Sequence, residues 1–238
     1  MRPPSPPLSP PDRAPALGTG IVCGSLALVL LILVTVGWSP LMSLDRTVAD
    51  ALHRRAVTEP GLVHANRILT DWVWDPWTMR ALIAVAVVAL WLRGARMLAG
   101  WVAATSLLAT LLQQGLKAAV SRERPQWPDP VDSAHYAAFP SGHAMTAVVT
   151  CGLLLWLLWL LRRHGAGRRV WWAALTVAWV SGIGVGLTRL YLGVHWLTDV
   201  LGGWLLGAAV VAFSIAAFAR YEERGRGGAD GAALPRRP

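Results

Sequence analysis

Three short stretches of this 238-residue chain hold residues whose types and spacing could handle an anionic group. Lys117 and Arg124 lie in "KAAVSRERP", Ser141, Gly142 and His143 in "FPSGH", and Arg189, His195 and Asp199 in "TRLYLGVHWLTD". "FPSGH" stands directly before an apolar run long enough to cross a membrane. A helix start there would offer unpaired backbone N–H groups and the positive end of the helix dipole, and glycine would let a ligand approach the backbone. Taken alone, the same residues fit an ordinary helix start, with Ser141 as cap beside Pro140. The other two stretches decide between these readings.

Lys117 is the only lysine among 22 basic residues, so this position selects a compact ammonium over the planar fork used everywhere else. An ammonium suits a phosphate oxygen as a point charge. Arg124 precedes Pro125, which stops any helix there. If the last helix begins near Gly193, His195 and Asp199 are four apart on one face. The carboxylate would then accept from one ring nitrogen, fixing the tautomer and leaving the other nitrogen as a nucleophile or base. Three cations and a helix N-terminus suit a doubly charged anion, and phosphate fits. Two histidines supply a nucleophile and an acid. No carboxylate and histidine cluster suits a zinc or two-metal centre, because Asp199 is the one acid clearly in place. The expected chemistry is phosphoryl transfer through a phosphohistidine, without metal or cofactor.

The elements that must position these residues follow from composition. The chain is 55% hydrophobic and 15% charged, with 14 tryptophans, whereas soluble chains carry about 25% charged residues. No charge falls between Arg13 and Asp45, nor within 97–116, 144–161, 170–188 or 200–219. Each run is near the ~20 residues that a bilayer requires. A sixth span, 76–93, is long enough if Arg80 and Arg93 snorkel. The predicted class is all-α, a polytopic membrane protein with six transmembrane helices over residues 17–220. Residues 1–16, rich in proline, and 221–238, rich in glycine and arginine, are predicted as a disordered leader and tail. No small-residue cleavage site follows the first span in "LVTVGWSP", so no cleaved signal peptide is expected.

With the N-terminus in the cytoplasm, inside segments carry 13 of the 22 basic residues, and "LRRHGAGRR" is a short basic loop of the kind that sets topology. The net charge of +9 therefore reads as positive-inside bias facing an anionic membrane surface, and not as nucleic-acid binding. Tryptophans 38, 72, 74, 77, 127 and 196 group near the outer interface, and 91, 101, 171 and 172 near the inner one. Cys23 and Cys151 fall in apolar spans without metal-ligand spacing and are expected to be buried free thiols. Residues 41–75 form the longest outer connection. There Leu44, Val48, Ala51 and Leu52 share a face while Asp45, Asp50 and Arg54 lie elsewhere, predicting a short helix on the membrane surface. Six helices starting inside bring all three polar stretches to the outer face at one level.

These residues resemble the type 2 phosphatidic acid phosphatase (PAP2) family, which shares its site with vanadium haloperoxidases. The family's Lys-x6-Arg-Pro matches "KAAVSRERP", its Pro-Ser-Gly-His matches 140–143, and its Ser-Arg-x5-His-x3-Asp matches 188–199 with Thr188 in place of serine. The resemblance covers about residues 17–220. It implies His195 as nucleophile oriented by Asp199, and His143 as general acid. It also implies a phosphate grip by Lys117, Arg124, Arg189, Ser141 and the backbone N–H of Gly142. The implied partners are the bilayer and a lipid phosphate: an isoprenyl diphosphate, phosphatidic acid or phosphatidylglycerol phosphate. The implied setting is the plasma (inner) membrane, with both termini cytoplasmic and the site outside. A lipid-to-lipid phosphotransferase would look the same, since only the acceptor differs from water. A non-enzymatic membrane protein would explain the helices but not the three spaced motifs.

Overall fold

The computed structural model describes residues 13–162 and 167–232. They form helices α1 (Arg13–Thr35), α2 (Ser39–Ala56), α3 (Pro60–Ile68), α4 (Pro76–Leu92), α5 (Arg96–Val120), α6 (Gly142–Arg162), α7 (Arg168–Tyr191) and α8 (Leu197–Ala232), with a π-helical turn at Leu69–Val73. Six of the helices, α1 and α4–α8, are long and apolar enough to cross a membrane. The apolar stretch of the second crossing reaches back from α4 through the π turn to Pro60. The protein is an all-α, multi-pass membrane protein, as expected.

Helices α6 and α8 are the central pair. Half of the apolar stretch of α6 and 44% of that of α8 are buried, against 17% for α1 and α7. Their contact is close because Gly203 and Gly207 of α8 carry no side chain. A Cβ on Gly203 would lie 2.7 Å from the Ser141 carbonyl oxygen, and one on Gly207 3.0 Å from that of Met145. Such small residues four apart let membrane helices approach backbone to backbone. Inward of this contact, Met145, Leu153, Trp156, Val211 and Phe218 build an apolar core with Val102 of α5. Helix α1 packs outside α8, where Phe213 lies against Gly20 and Gly24. Arg13 and Glu223 pair at 3.7 Å, at the end of the bundle remote from the three motifs.

Several boundaries differ from the sequence expectation. Arg13 already starts α1, so residues 13–16 of the expected leader are helical, and the remainder of that leader lies outside the described residues. Helix α8 runs to Ala232, so the expected tail is helical over its first part, and 233–238 lie outside the described residues. Each end continues a long membrane-spanning helix whose hydrogen bonds, once started, cost little to extend. Cys23 and Cys151 are free but only half-buried.

The outer segment differs more. It contains two helices, and α2 buries against the protein the face bearing Asp45, Ala49, His53 and Ala56, with Leu52 packed beside it on Ala144, Leu190 and Val200. Leu44 is 47% exposed while Asp45 is 1% exposed. The reason is partnership. His53 Nε2 lies 3.2 Å from Asp129 Oδ1, and its ring stacks on Trp127 with centroids 4.0 Å apart. Three tryptophans expected in the outer belt are structural instead. Trp74 is buried against Met79, Ala147 and Val185, Trp127 Nε1 donates to the Gly193 carbonyl at 2.9 Å, and Trp196 Nε1 donates to that of Glu123 at 2.9 Å.

Candidate active site

Helix α5 delivers Lys117 in its last turn and stops at Ser121, which adopts the left-handed conformation with φ 47°. The chain then doubles back. The Arg122 carbonyl accepts the Ala138 N–H at 2.8 Å, and the Lys117 ammonium donates to the Ala137 carbonyl. That return places "FPSGH" beside the end of α5. Gly142 opens α6 directly against the Gln113 side chain of α5, whose Nε2 would lie 2.5 Å from a Cβ at that position. The Ser141 N–H donates to the Asp199 carbonyl at 2.9 Å, which ties the start of α6 to the start of α8.

Helix α8 begins at Leu197, not near Gly193, so His195 precedes the helix. The expected His195–Asp199 pair nevertheless forms. Asp199 stands in the first turn, and its Oδ2 accepts the Trp196 N–H at 2.9 Å, as the acid of a capping box does. The same oxygen faces His195 Nδ1 at 3.3 Å. On the other side of the ring, Arg124 Nη1 stands 3.2 Å from Nε2. A carboxylate can only accept and a guanidinium can only donate. The neutral ring therefore keeps its proton on Nδ1 and presents a lone pair on Nε2.

His195 is 2% exposed, and burial holds its imidazole well below the usual histidine range, with Arg124, Arg189 and Lys117 pushing the same way. The ring is neutral at physiological pH for two compounding reasons: it lacks water, and cations surround it. Burial also lowers Arg124, which Asp199 opposes. Arg124 is further anchored to the carbonyl oxygens of Tyr136 and Val194. Arg189, buried in the last turn of α7, donates through Nη1 to Thr70 Oγ1 of the π turn at 3.3 Å.

The structure thus gathers all eight candidate residues at one end of the bundle. His143, in the first turn of α6, is within electrostatic reach of Arg189, His195, Arg124 and Lys117. Ser141 Oγ and Arg189 Nε are buried with no partner in the protein. A hydroxyl and a guanidinium N–H left free among cations form a donor set for an anion. Among the described residues, no three His, Cys, Asp or Glu side chains are grouped to hold a metal ion.

Three further residues belong to this end of the molecule and were not among the candidates. Arg122 Nη1 donates to Asp199 Oδ1 at 2.6 Å, and the guanidinium reaches on to Thr198 and Asp45. In "SRERP", Arg122 differs from Arg124 only in lacking the adjacent proline, and nothing in the sequence marks Asp45 as its partner.

Comparison with known proteins agrees with this geometry. The PAP2 superfamily model matches residues 98–223, more than half of the chain. Phosphatidylglycerophosphatase B of Bacillus subtilis is 36% identical over 101 residues, covering 41% of this chain and 46% of the relative. Undecaprenyl-diphosphatase of Sulfolobus acidocaldarius is 32% identical over 88 residues, covering 37% and 35%. Phosphatidylglycerophosphatase B of Escherichia coli is 39% identical over 75 residues, covering 32% and 26%. The matched segment spans less than half the length of each of these relatives. The crystal structure of a transmembrane PAP2-type phosphatidylglycerolphosphate phosphatase from Bacillus subtilis superposes with a TM-score of 0.64 at 23% identity, covering 85% of this chain and 96% of that one. The matched region runs from α5 through α8 and contains all eight candidate residues, and on that match the chain belongs to the PAP2 superfamily.

Proposed function

We propose that this protein is a membrane-embedded lipid phosphate phosphatase that works through a phosphohistidine. The observation that carries this reading is His195: a buried, neutral imidazole held between Asp199 and Arg124, with its Nε2 lone pair directed into a ring of cations. In the first step, Nε2 attacks phosphorus. The bond to the leaving oxygen breaks, and His143 supplies that oxygen with a proton. The positive charge on the phosphorylated ring is balanced by Asp199, which retains the Nδ1–H hydrogen bond. In the second step, His143 takes a proton from water, the water oxygen attacks phosphorus, and the P–N bond breaks to release phosphate. Lys117, Arg124, Arg189, Ser141 Oγ and the Gly142 N–H hold the phosphoryl oxygens and stabilise their charge in the transition state.

A lipid substrate suits the surroundings. An apolar cavity of about 630 Å³ lies between α6, α7 and α8, lined by Val148, Leu155, Ile183, Trp204 and Ala208 among others. It begins one to two helical turns inward of His143, Arg189 and Asp199. The relatives named as phosphatidylglycerophosphatases and an undecaprenyl-diphosphatase support phosphatidylglycerol phosphate or an isoprenyl diphosphate as substrate, with phosphatidic acid as a third member of the class. A phosphate-release panel of these three lipids on purified protein tests the reading. Release from none of them, with the protein folded, overturns it. Phosphate that appears on an acceptor lipid instead of in water identifies a phosphotransferase.

The site opens to the outside of the plasma (inner) membrane in this proposal, on the basic asymmetry of the loops and the even number of spans. A single cysteine at Asp132, in a background lacking Cys23 and Cys151, reacts with a membrane-impermeant thiol reagent in intact cells. Protection until the cells are broken reverses the orientation.

A further inference from the structure

We propose that Asp45 and Arg122 are positioning residues for the phosphoryl-transfer reaction, which makes the outer helix α2 a working part of the active site and not a loop that merely covers it. The inference rests on the reading of His195 as nucleophile. Its basis is a continuous chain of short contacts. Arg122 Nη1 donates to Asp199 Oδ1 at 2.6 Å and to Thr198 Oγ1 at 2.6 Å. Arg122 Nη2 donates to Asp45 Oδ2 at 2.7 Å. Asp45 Oδ2 also accepts the Thr198 hydroxyl at 2.6 Å, and Asp45 Oδ1 accepts the Thr198 N–H at 2.9 Å.

Each link constrains the next. Asp199 must present Oδ2 to His195 and to the Trp196 N–H at once, which leaves the carboxylate free to rotate unless Oδ1 is also held. Arg122 is the group that holds it. Arg122 in turn follows the left-handed Ser121 that ends α5, so helical hydrogen bonding does not aim its side chain. Asp45 aims it, together with the Trp196 ring, whose centroid lies 5.6 Å from the guanidinium carbon. The charges are arranged for the same end. Asp45 and Asp199 bracket one guanidinium, so the cluster presents a net single negative charge behind His195. Were Asp45 missing, Arg122 would be matched by Asp199 alone and would draw that carboxylate's charge away from the imidazole.

The burial of Asp45 supports a specific role over a general one. It is 1% exposed while its neighbour Leu44 is left exposed, and a buried carboxylate is costly unless fully paired. A helix needed only as a cover would turn Leu44 and Val48 inward. Outer-shell partners of this kind, in metal sites where they have been measured, typically cost about 10–100-fold when lost.

The test uses the full-length protein in detergent micelles, with p-nitrophenyl phosphate and dioleoyl phosphatidic acid as probes. Asp45→Asn and Arg122→Gln should each lower kcat by about 10–100-fold and leave KM within about threefold, since neither side chain touches the phosphoryl group. Arg122→Lys should recover part of the lost kcat by restoring the charge. The double variant should fall no further than Arg122→Gln alone, because Asp45 acts through Arg122 and has nothing left to aim once that side chain is gone. Asp50→Asn, on the exposed face of the same helix, should leave kcat unchanged. Melting curves separate a misaligned variant from an unfolded one, and if Asp45→Asn does not fold, the Arg122→Gln and Arg122→Lys comparison carries the test. Wild-type kcat in both single variants, or losses that appear in KM, or losses that multiply in the double variant, overturn the inference. His195→Ala distinguishes that failure from a deeper one: activity in His195→Ala removes the phosphohistidine reading itself.

Discussion

Helices α5, α6 and α8 each pass through two regions that follow opposite rules. In the inner half they bury Val102, Met145, Leu153, Trp156 and Phe218 against one another. At the end that carries the motifs, named outer after the proposed orientation, Lys117, Ser141, His195 and Asp199 are buried on these helices or just before them. The inner region is held by packing, which tolerates small shifts of shape and takes no direction from any single contact. The outer region is held by directed bonds, each of which leaves a stranded charge or donor if broken. The contact of Gly203 and Gly207 with Ser141 and Met145 lies at the boundary, so the packed half sets the distance across which the polar half must bond. Stability and catalysis are therefore separable along the length of a single helix.

The largest expected effect tests the outer region's division of labour. His195→Ala should lose activity by roughly 10³-fold or more on every substrate, because in the proposed mechanism no other group forms the covalent intermediate. His143→Ala should depend on the leaving group. A diacylglycerol alkoxide needs the proton, so the loss on phosphatidic acid should be about 10²–10⁴-fold. A nitrophenolate is stable as an anion, and the loss on p-nitrophenyl phosphate should be markedly smaller. Ratios of kcat/KM within each variant make the comparison. Equal losses on both substrates would assign His143 to phosphate binding and leave the leaving group without its acid.

The inner region should answer differently. Leu153 is fully buried, and Leu153→Ala should cost about 2–5 kcal/mol of stability. Its kcat and KM at a temperature where it stays folded should match the wild type. A tenfold fall in kcat with intact folding would show that packing in the inner half reaches the dyad, and the separation drawn above would not hold.

These two regions were not equally legible in the sequence. The six spans were visible because bilayer thickness dictates a length and a charge-free interval. The eight candidate residues were visible because the three motifs keep their spacing. The start of α8 was misplaced by four residues because its cap is Asp199 bonding backward to Trp196, a choice made by the same side chain that serves His195. The inward face of α2 was not legible for a different reason. Hydrophobic periodicity tells which side is buried only when water is the alternative. At a membrane surface, Leu44 loses nothing by facing outward, and the residues that must be covered are Asp45 and His53, which need partners. Arg122 was missed because a partner on another helix leaves no local pattern.

A smaller effect sharpens the contrast between the chain's one lysine and its arginines. Lys117 is 9% exposed and bonded to the Ala137 carbonyl, in a space shared with Arg124 and Arg189. Lys117→Arg keeps the charge but brings a planar fork into a close-fitting corner. The expected fall in kcat/KM is about tenfold, or about 1.4 kcal/mol of transition-state stabilisation. Unchanged kinetics would reduce Lys117 to an interfacial cation.

The smallest expected effect is a slope. Free histidine titrates near 6.5, and phosphate monoesters take up their second proton near pH 6. If His195 titrated at its ordinary value, two protonations would suppress kcat/KM below about pH 6, one on the enzyme and one on the substrate. A plot of log kcat/KM against pH would then rise with a slope of two. Burial and the charges of Arg124, Arg189 and Lys117 instead hold His195 well below that value. The sign follows directly: a depressed histidine stays neutral as the pH falls, so the nucleophile survives and only the substrate's protonation remains. Between about pH 5 and 6 the slope should therefore approach one, and it should fall to about zero when the substrate's own ionisation is titrated separately and divided out of the profile. A slope of two in that window would mean that His195 protonates like a solvated imidazole. The outer region would then be wet enough to screen its own cations, and directed bonding there could not be what keeps the nucleophile ready.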